Sequence, residues 1–217
     1  MSDWTEAKHV KDLGGADFAS IKNIFVEQLH VPRSKPVNQF LLCPVGLVGA
    51  GKSTVVVPLA EKLNLVRISH DEIRKILKEN GFNYDLSKEI ALEVISDFLK
   101  TGYSVAIDAN CGSAETFDHI KKIESEYGIK AMWIHINPPE AFIVNKLRNF
   151  KHSWLFRDGE EAVSGYYEYK NKYGDGTNLG IRFSYVFDTS KSDIQEQIKE
   201  AERVISDSLI SASFLNE

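Results

Sequence analysis

Residues 46–54 read Gly46-Leu47-Val48-Gly49-Ala50-Gly51-Lys52-Ser53-Thr54 and satisfy the pattern G-x-x-x-x-G-K-[ST] in full. The chemistry of that spacing is phosphate binding. Glycines let the loop backbone turn its N–H groups inward around phosphate oxygens, the Lys52 ammonium can reach the β- and γ-phosphates, and the Ser53 hydroxyl can ligate Mg²⁺. The expected contact set is therefore Gly46, Gly49, Ala50, Gly51, Lys52, Ser53 and Thr54. An apolar run of strand length, Gln39 to Val45, precedes the loop. Apolar residues at helical spacing follow it, at Val56, Leu59, Ala60 and Leu63. Strand, glycine loop and helix occur in the order that aims a helix N-terminus at an anion. A bound nucleoside triphosphate is the implication.

Two further stretches carry carboxylates where such a ligand would react. Ser69-His70-Asp71-Glu72 follows a short apolar run. Ser69 and Glu72 fit a capping box, each bonding the other's backbone donor. That leaves Asp71 unassigned, either as the base that accepts a proton from an attacking hydroxyl or as a charge complementing the helix dipole. Asp108-Ala109-Asn110 ends another apolar run. Asp108 is placed to hold Mg²⁺ together with Ser53 or to orient substrate, against the alternative of a strand-end Asx turn. Arg148, Lys151, His152 and Arg157 lie in a later charged segment, from which a cation could close over a transferring phosphoryl group. Tyr166, Tyr167, Tyr169 and Tyr173 could stack on a planar substrate, although at helical spacing such residues are more often packing residues.

The elements that must position these residues alternate along the chain. Strands are expected at 39–45, 65–68, 103–107, 130–136 and 183–187. Helices are expected at 17–29, 53–63, 71–78, 86–100, 138–148 and 194–209. Five strands with helical crossovers imply an α/β three-layer fold around a parallel sheet, with right-handed connections. In such sheets ligands bind at the carboxyl ends of the strands, which places Asp71 and Asp108 on the active edge. Residues 1–38 are expected to be an N-terminal helical extension, packed on the core or covering substrate, and 39–217 the nucleotide-binding domain. The segment of about 150–180 is rich in charge, aromatics and glycine, with weak periodicity at both ends, and is a candidate lid between strands four and five. Trp133 and His135 are expected in the core.

Composition narrows the partners. A formal charge of −5 argues against a broad basic face for duplex nucleic acid. The two cysteines, Cys43 and Cys111, form no C-x-x-C pair, so neither a zinc site nor a disulfide framework is indicated. No apolar run reaches membrane-spanning length and the N-terminus lacks a signal pattern, so a cytoplasmic protein is expected. No N-K-x-D triplet or L-S-G-G-Q signature follows the loop, which disfavours switch GTPases and transporter-type ATPases.

Gly46–Thr54, the Ile68-Ser69-His70-Asp71-Glu72-Ile73-Arg74 stretch and Ile107-Asp108-Ala109-Asn110 together resemble the P-loop kinases of the group containing 5′-hydroxyl polynucleotide kinases, zeta-toxin-like kinases and chloramphenicol phosphotransferase-like enzymes. The resemblance covers about residues 39–189. It implies the strand order 2-3-1-4-5 and ATP-dependent transfer of the γ-phosphate to a hydroxyl, with ATP and Mg²⁺ bound. It also implies Asp71 as general base, Arg74 as a substrate or phosphate contact, and Asp108 and Asn110 as acceptor-orienting residues. Asp188 to Lys191 would border the adenine. The lid cation of that group would fall on His152 or Lys151, with Arg157 further along. His70 stands where the nucleic-acid members tend to carry arginine, so the acceptor could be a nucleic-acid end or a small metabolite. The alternative is a regulatory ATPase that uses the same loop without a hydroxyl acceptor.

Overall fold

β1 (Phe40–Val45), β2 (Val66–Ser69), β3 (Val105–Asp108), β4 (Lys130–Ile136) and β5 (Tyr185–Phe187) form one sheet in the order β2-β3-β1-β4-β5. Every neighbouring pair is parallel. The computed structural model describes residues 14–149, 156, 158–174 and 177–213. Eight helices flank the sheet among these residues: α1 (Gly15–Glu27), α2 (Lys52–Lys62), α3 (His70–Glu79), α4 (Ser87–Lys100), α5 (Ala114–Tyr127), α6 (Glu140–Arg148), α7 (Gly159–Tyr173) and α8 (Ile194–Ser213). Short 3₁₀ turns lie at Tyr84–Leu86 and Thr177–Leu179.

Alternation along β1 shows how the layers form. Leu41, Cys43 and Val45 enter one apolar core with residues of α1, α3, α4 and α5. Phe40 and Leu42 enter a second core with residues of α2, α6, α7 and α8. All six β1 residues are buried, as expected of a strand sandwiched between two helical layers. The sheet is thus the middle layer of an α/β/α sandwich. Trp133 and His135 are buried in it. Trp133 lies against Phe117, and His135 stacks on Phe183 with ring centroids 4.6 Å apart.

Parallel strands need crossovers, and two helices extend the sequence expectation. The link from β3 to β4 carries α5, which the sequence reading left out. Ser113 caps its first turn by accepting from the Thr116 amide, and Gly128 ends it in the left-handed region at φ 63°. Its Phe117, Ile120 and Ile123 supply one apolar stripe. The segment expected as a weakly periodic lid contains α7, started by Asp158 accepting from the Glu161 amide at 2.9 Å. Ala162, Val163 and Tyr166 of α7 are buried in the second core. Gly159 permits a close approach here, since a Cβ at this position would meet the Arg148 carbonyl oxygen at 2.1 Å.

α1 packs onto α3 and α4. Ile21 and Phe25 are each 1% exposed and join the first core. Burying such side chains contributes about 1.5–3 kcal/mol apiece, so packing accounts for this helix. Among the described residues no helix is long and apolar enough to cross a membrane.

Candidate phosphoryl-transfer site

The glycine loop joins the C-terminal end of β1 to the first residue of α2. Gly49 and Gly51 take positive φ, 78° and 91°, a region that costs other residues strain. Space is short as well. A Cβ at Gly46 would lie 2.8 Å from the Ile136 carbonyl oxygen, and one at Gly49 2.9 Å from Leu147. Thr189, after β5, donates its hydroxyl to the Ala50 carbonyl at 2.7 Å and supports the loop from the far side. Thr54 follows Ser53 in the exposed first turn of α2.

Lys52 lies across this loop, donating to the carbonyls of Gly46 and Leu47 at 3.0 Å each. Removal from water pushes its pKa down, while Asp71 and Asp108 oppose that shift. The ammonium is therefore held at the loop by carbonyls that an incoming phosphate can outcompete, since bonds to charged acceptors are the stronger ones.

Asp108 closes β3 in register with Ser69 of β2. Its carboxylate is nearly fully buried, with Oδ1 accepting from Ser53 Oγ at 3.0 Å and Oδ2 accepting from Arg67 at 2.7 Å. Ser53 and Asp108 thus present two hard oxygens side by side at the start of α2. This donor set fits Mg²⁺, which takes one or two protein oxygens beside phosphates and waters.

Asn110 ties three segments together. Its Oδ1 accepts from the amides of Gly46 and Gly112 at 3.0 and 3.1 Å, and its Nδ2 donates to the Tyr169 hydroxyl at 2.7 Å. Two backbone donors on one side-chain oxygen leave the amide a single orientation. In this arrangement Asn110 fixes where the loop begins.

The α3 start differs from the capping box expected there. Ser69 does cap, accepting from the Glu72 amide at 3.4 Å. The Glu72 carboxylate, however, binds Arg67. A guanidinium two residues before the cap offers a charge-assisted bond, which the neutral backbone amide of Ser69 cannot match. Asp71 sits exposed on the first turn of α3, accepting from Arg74 at 3.3 Å. The Arg74 Nε is buried without a partner.

One cavity of ≈660 Å³ connects these groups. Lys52, Ser53, Asp71, Arg74, Asp108 and Asn110 all line it. Lys88 of α4, Ser113 at the start of α5 and His119 within it, and Tyr169 and Tyr173 of α7 line it as well. Of the four tyrosines considered for stacking, Tyr166 is in the core, 1% exposed, and Tyr167 is exposed without lining this cavity. Arg148 is exposed on α6 and pairs with Glu160 at 3.5 Å. Lys151, His152 and Arg157 lie outside the described residues. Asp188 and Ser190 bond each other just beyond β5, beside Thr189.

His70 also lines the cavity. Burial, with Arg74 and Lys88 nearby, pushes its pKa down from 6.5 to about 4. The imidazole is neutral at neutral pH. An unfolded chain takes up the proton near pH 6.5 while the folded chain does not, so stability falls as pH drops from about 6.5 to about 4. The loss is at most about 3 kcal/mol, and above pH 6.5 the residue contributes no slope. Urea midpoints of the native protein and His70→Gln across this range check it. The variant is expected to lose the part of the acid slope that His70 carries.

Arg67, which binds Asp108 and Glu72 without lining the cavity, is the residue that motif reasoning missed. The available signal was period two. Val66 and Ile68 face the first core, so Arg67 must share a face with Ser69.

Comparison with known proteins gives the fold its place. No curated protein matches the sequence significantly. Among solved structures, one of the PezAT toxin–antitoxin system of Streptococcus pneumoniae is similar at 13% identity, TM-score 0.60, covering 93% of this chain and 99% of that one. A gluconokinase from Sinorhizobium meliloti is similar at 16% identity, TM-score 0.55, covering 85% and 100%. The APS kinase CysC of Mycobacterium tuberculosis, in complex with AMPPNP and APS, is similar at 18% identity, TM-score 0.52, covering 79% and 99%. At these identities the likeness is one of fold, the three-layer P-loop arrangement. A family profile described as AAA domain matches residues 41–153. Since that span is just over half of its length, the chain belongs to the AAA domain family.

Proposed function

We propose that this protein is an ATP-dependent kinase that transfers the γ-phosphate to a hydroxyl group of a small metabolite. The observation that carries the reading is the single cavity joining the glycine loop, Lys52 and the Ser53–Asp108 pair to Asp71. Residues of α4 and α5 line the acceptor side of this cavity, and the formal charge of −5 suits a compact acceptor better than a nucleic-acid end. The kinases among the similar structures support the same reaction class, and the motifs around Asp71 and Asp108 keep their resemblance to the polynucleotide kinase and zeta-toxin group.

The residues divide the work by position. Loop amides and Lys52 hold the β- and γ-phosphates and offset the charge that shifts between them. Ser53 and Asp108 would hold Mg²⁺, which when bound with the triphosphate neutralises negative charge on the phosphate oxygens. Asp71, exposed to the cavity, accepts the proton of the acceptor hydroxyl as that oxygen attacks the γ-phosphorus. Arg74 beside it contacts the acceptor or the transferred group. Asn110 orients the loop and, through Tyr169, the α7 side of the acceptor space. A cation from Lys151, His152 or Arg157 would cover the transferring group. Asp188 to Lys191 would border the adenine.

An acceptor panel incubated with γ-labelled ATP tests the reading. Label transferred to a small hydroxyl compound supports it, and turnover that needs a protein partner without any labelled acceptor replaces it with a regulatory ATPase. Binding is a separate check. Mg·ATP at a hundred times its Kd is expected to stabilise the fold by about 2.7 kcal/mol, because only the folded state binds it. An unmoved melting temperature at millimolar Mg·ATP counts against nucleotide binding altogether.

A further inference from the structure

Asp108 can meet a metal with either carboxylate oxygen unless something decides between them. Arg67 stands on β2 in register with Ala106, two residues short of Asp108 along the neighbouring strand. Both side chains leave the sheet on the face toward α2, because Val66, Ile68, Val105 and Ile107 take the other face. One arm of the guanidinium donates to Asp108 Oδ2 at 2.7 Å, and the other binds Glu72. Asp108 Oδ1 is thereby the oxygen left facing the Ser53 hydroxyl. The Arg67 side chain is 26% exposed and that of Asp108 3%, so the pair is shielded and its geometry costs more to break than a surface pair.

Resting on the kinase reading above, we propose that Arg67 is the positioning residue that turns Asp108 Oδ1 toward Ser53, so that serine and aspartate present one two-oxygen edge to the metal of a metal–nucleotide complex. Arg67 touches neither the phosphates nor the acceptor in this role; it acts through Asp108. Its fork geometry is what allows this. A guanidinium can hold two carboxylates at once with fixed directions, whereas an ammonium supplies charge without a fixed plane. The other arm reaches Glu72 on the first turn of α3 without being needed for the Asp108 contact.

The test reads binding in addition to rate. ATP affinity is measured by titration with and without Mg²⁺ for the native protein, Arg67→Ala, Arg67→Lys and Glu72→Gln. Partners that orient a metal ligand typically contribute about 10–100-fold to metal affinity. In Arg67→Ala the gain in ATP affinity on adding Mg²⁺ is therefore expected to shrink by about tenfold or more, with metal-free ATP affinity little changed. Arg67→Lys should recover part of the gain. Glu72→Gln, which leaves the Arg67–Asp108 contact in place, should keep the gain near the native value. If Arg67 only braces β2 against α3, both Arg67 variants will lose melting temperature while their Mg²⁺ gain stays native, and the proposal is overturned. Should Arg67→Ala not fold, the comparison of Arg67→Lys with Glu72→Gln decides the same point. A native protein whose ATP binding ignores Mg²⁺ would instead remove the kinase reading itself, an outcome distinct from a native gain that survives loss of Arg67.

Discussion

Lys52→Ala is expected to fold normally and to lose phosphoryl transfer by at least about 10²–10³-fold, the usual effect of deleting one pre-placed charge-stabilising donor. The ammonium already sits on the Gly46 and Leu47 carbonyls, so phosphate meets a formed site and no reorganisation is needed during reaction. Its depressed pKa, caused first by burial, shows that holding the charge there opposes folding. Removing it should leave the melting temperature level or slightly raised, since an incompletely compensated buried charge is lost. Single-turnover rates and thermal melts on the same preparation check both halves. Near-native turnover in this variant would take the phosphate-binding role away from the loop.

Asp71→Asn is expected to leave ATP affinity nearly unchanged and to slow transfer by about 10²–10⁴-fold, the range for losing a positioned acid–base group. The side chain lines the cavity on the first turn of α3. The asparagine is nearly isosteric and cannot accept the acceptor proton. The helix start should survive, because Ser69 remains as cap and Glu72 remains with Arg67. If Asp71 serves only the helix dipole, the same substitution should cost about 0.3–1 kcal/mol and spare the rate. Melting temperature, ATP affinity and single-turnover rate on the one variant separate the two cases. A destabilised but fully active protein would move the base to another carboxylate, with Asp108 next to try.

Much of this architecture is legible in the sequence because the sheet is buried on both faces. Short apolar runs such as Leu41 to Val45 have no other stable place in a chain of this size, and the glycine pattern fixes which run is β1. The strand order came from resemblance and agrees with the observed sheet. α5 escaped notice because its polar face is dense with Glu115, Asp118, Lys121 and Lys122, which hides a stripe of only three large apolar residues. α7 is obscured by a segment rich in charge, aromatics and glycine with weak periodicity at both ends; within it Tyr166 packs into the core, while Tyr169 lines the cavity and accepts from Asn110. At the site, local motifs name Lys52, Ser53, Asp71, Arg74, Asp108 and Asn110, which line one cavity. They could not find Arg67, whose partners Asp108 and Glu72 come from another strand and a helix start, nor foresee that Glu72 would leave its capping role for a nearby cation.

The central place of β1 bears on how the chain acquires its shape. Its ladder partners are Leu41 with Val105 on one side and with Ala131 on the other. Neither partner exists when β1 leaves the ribosome, and β2 and α1 through α4 give it no strand to pair with. Six apolar residues with two open edges must wait until residues 105–136 are made, and a strand in that state is a template for association with other chains. Nascent fragments ending before β4 should therefore be the aggregating species, while chains extended past residue 136 close the sheet around β1 and complete the loop's seat at the same moment.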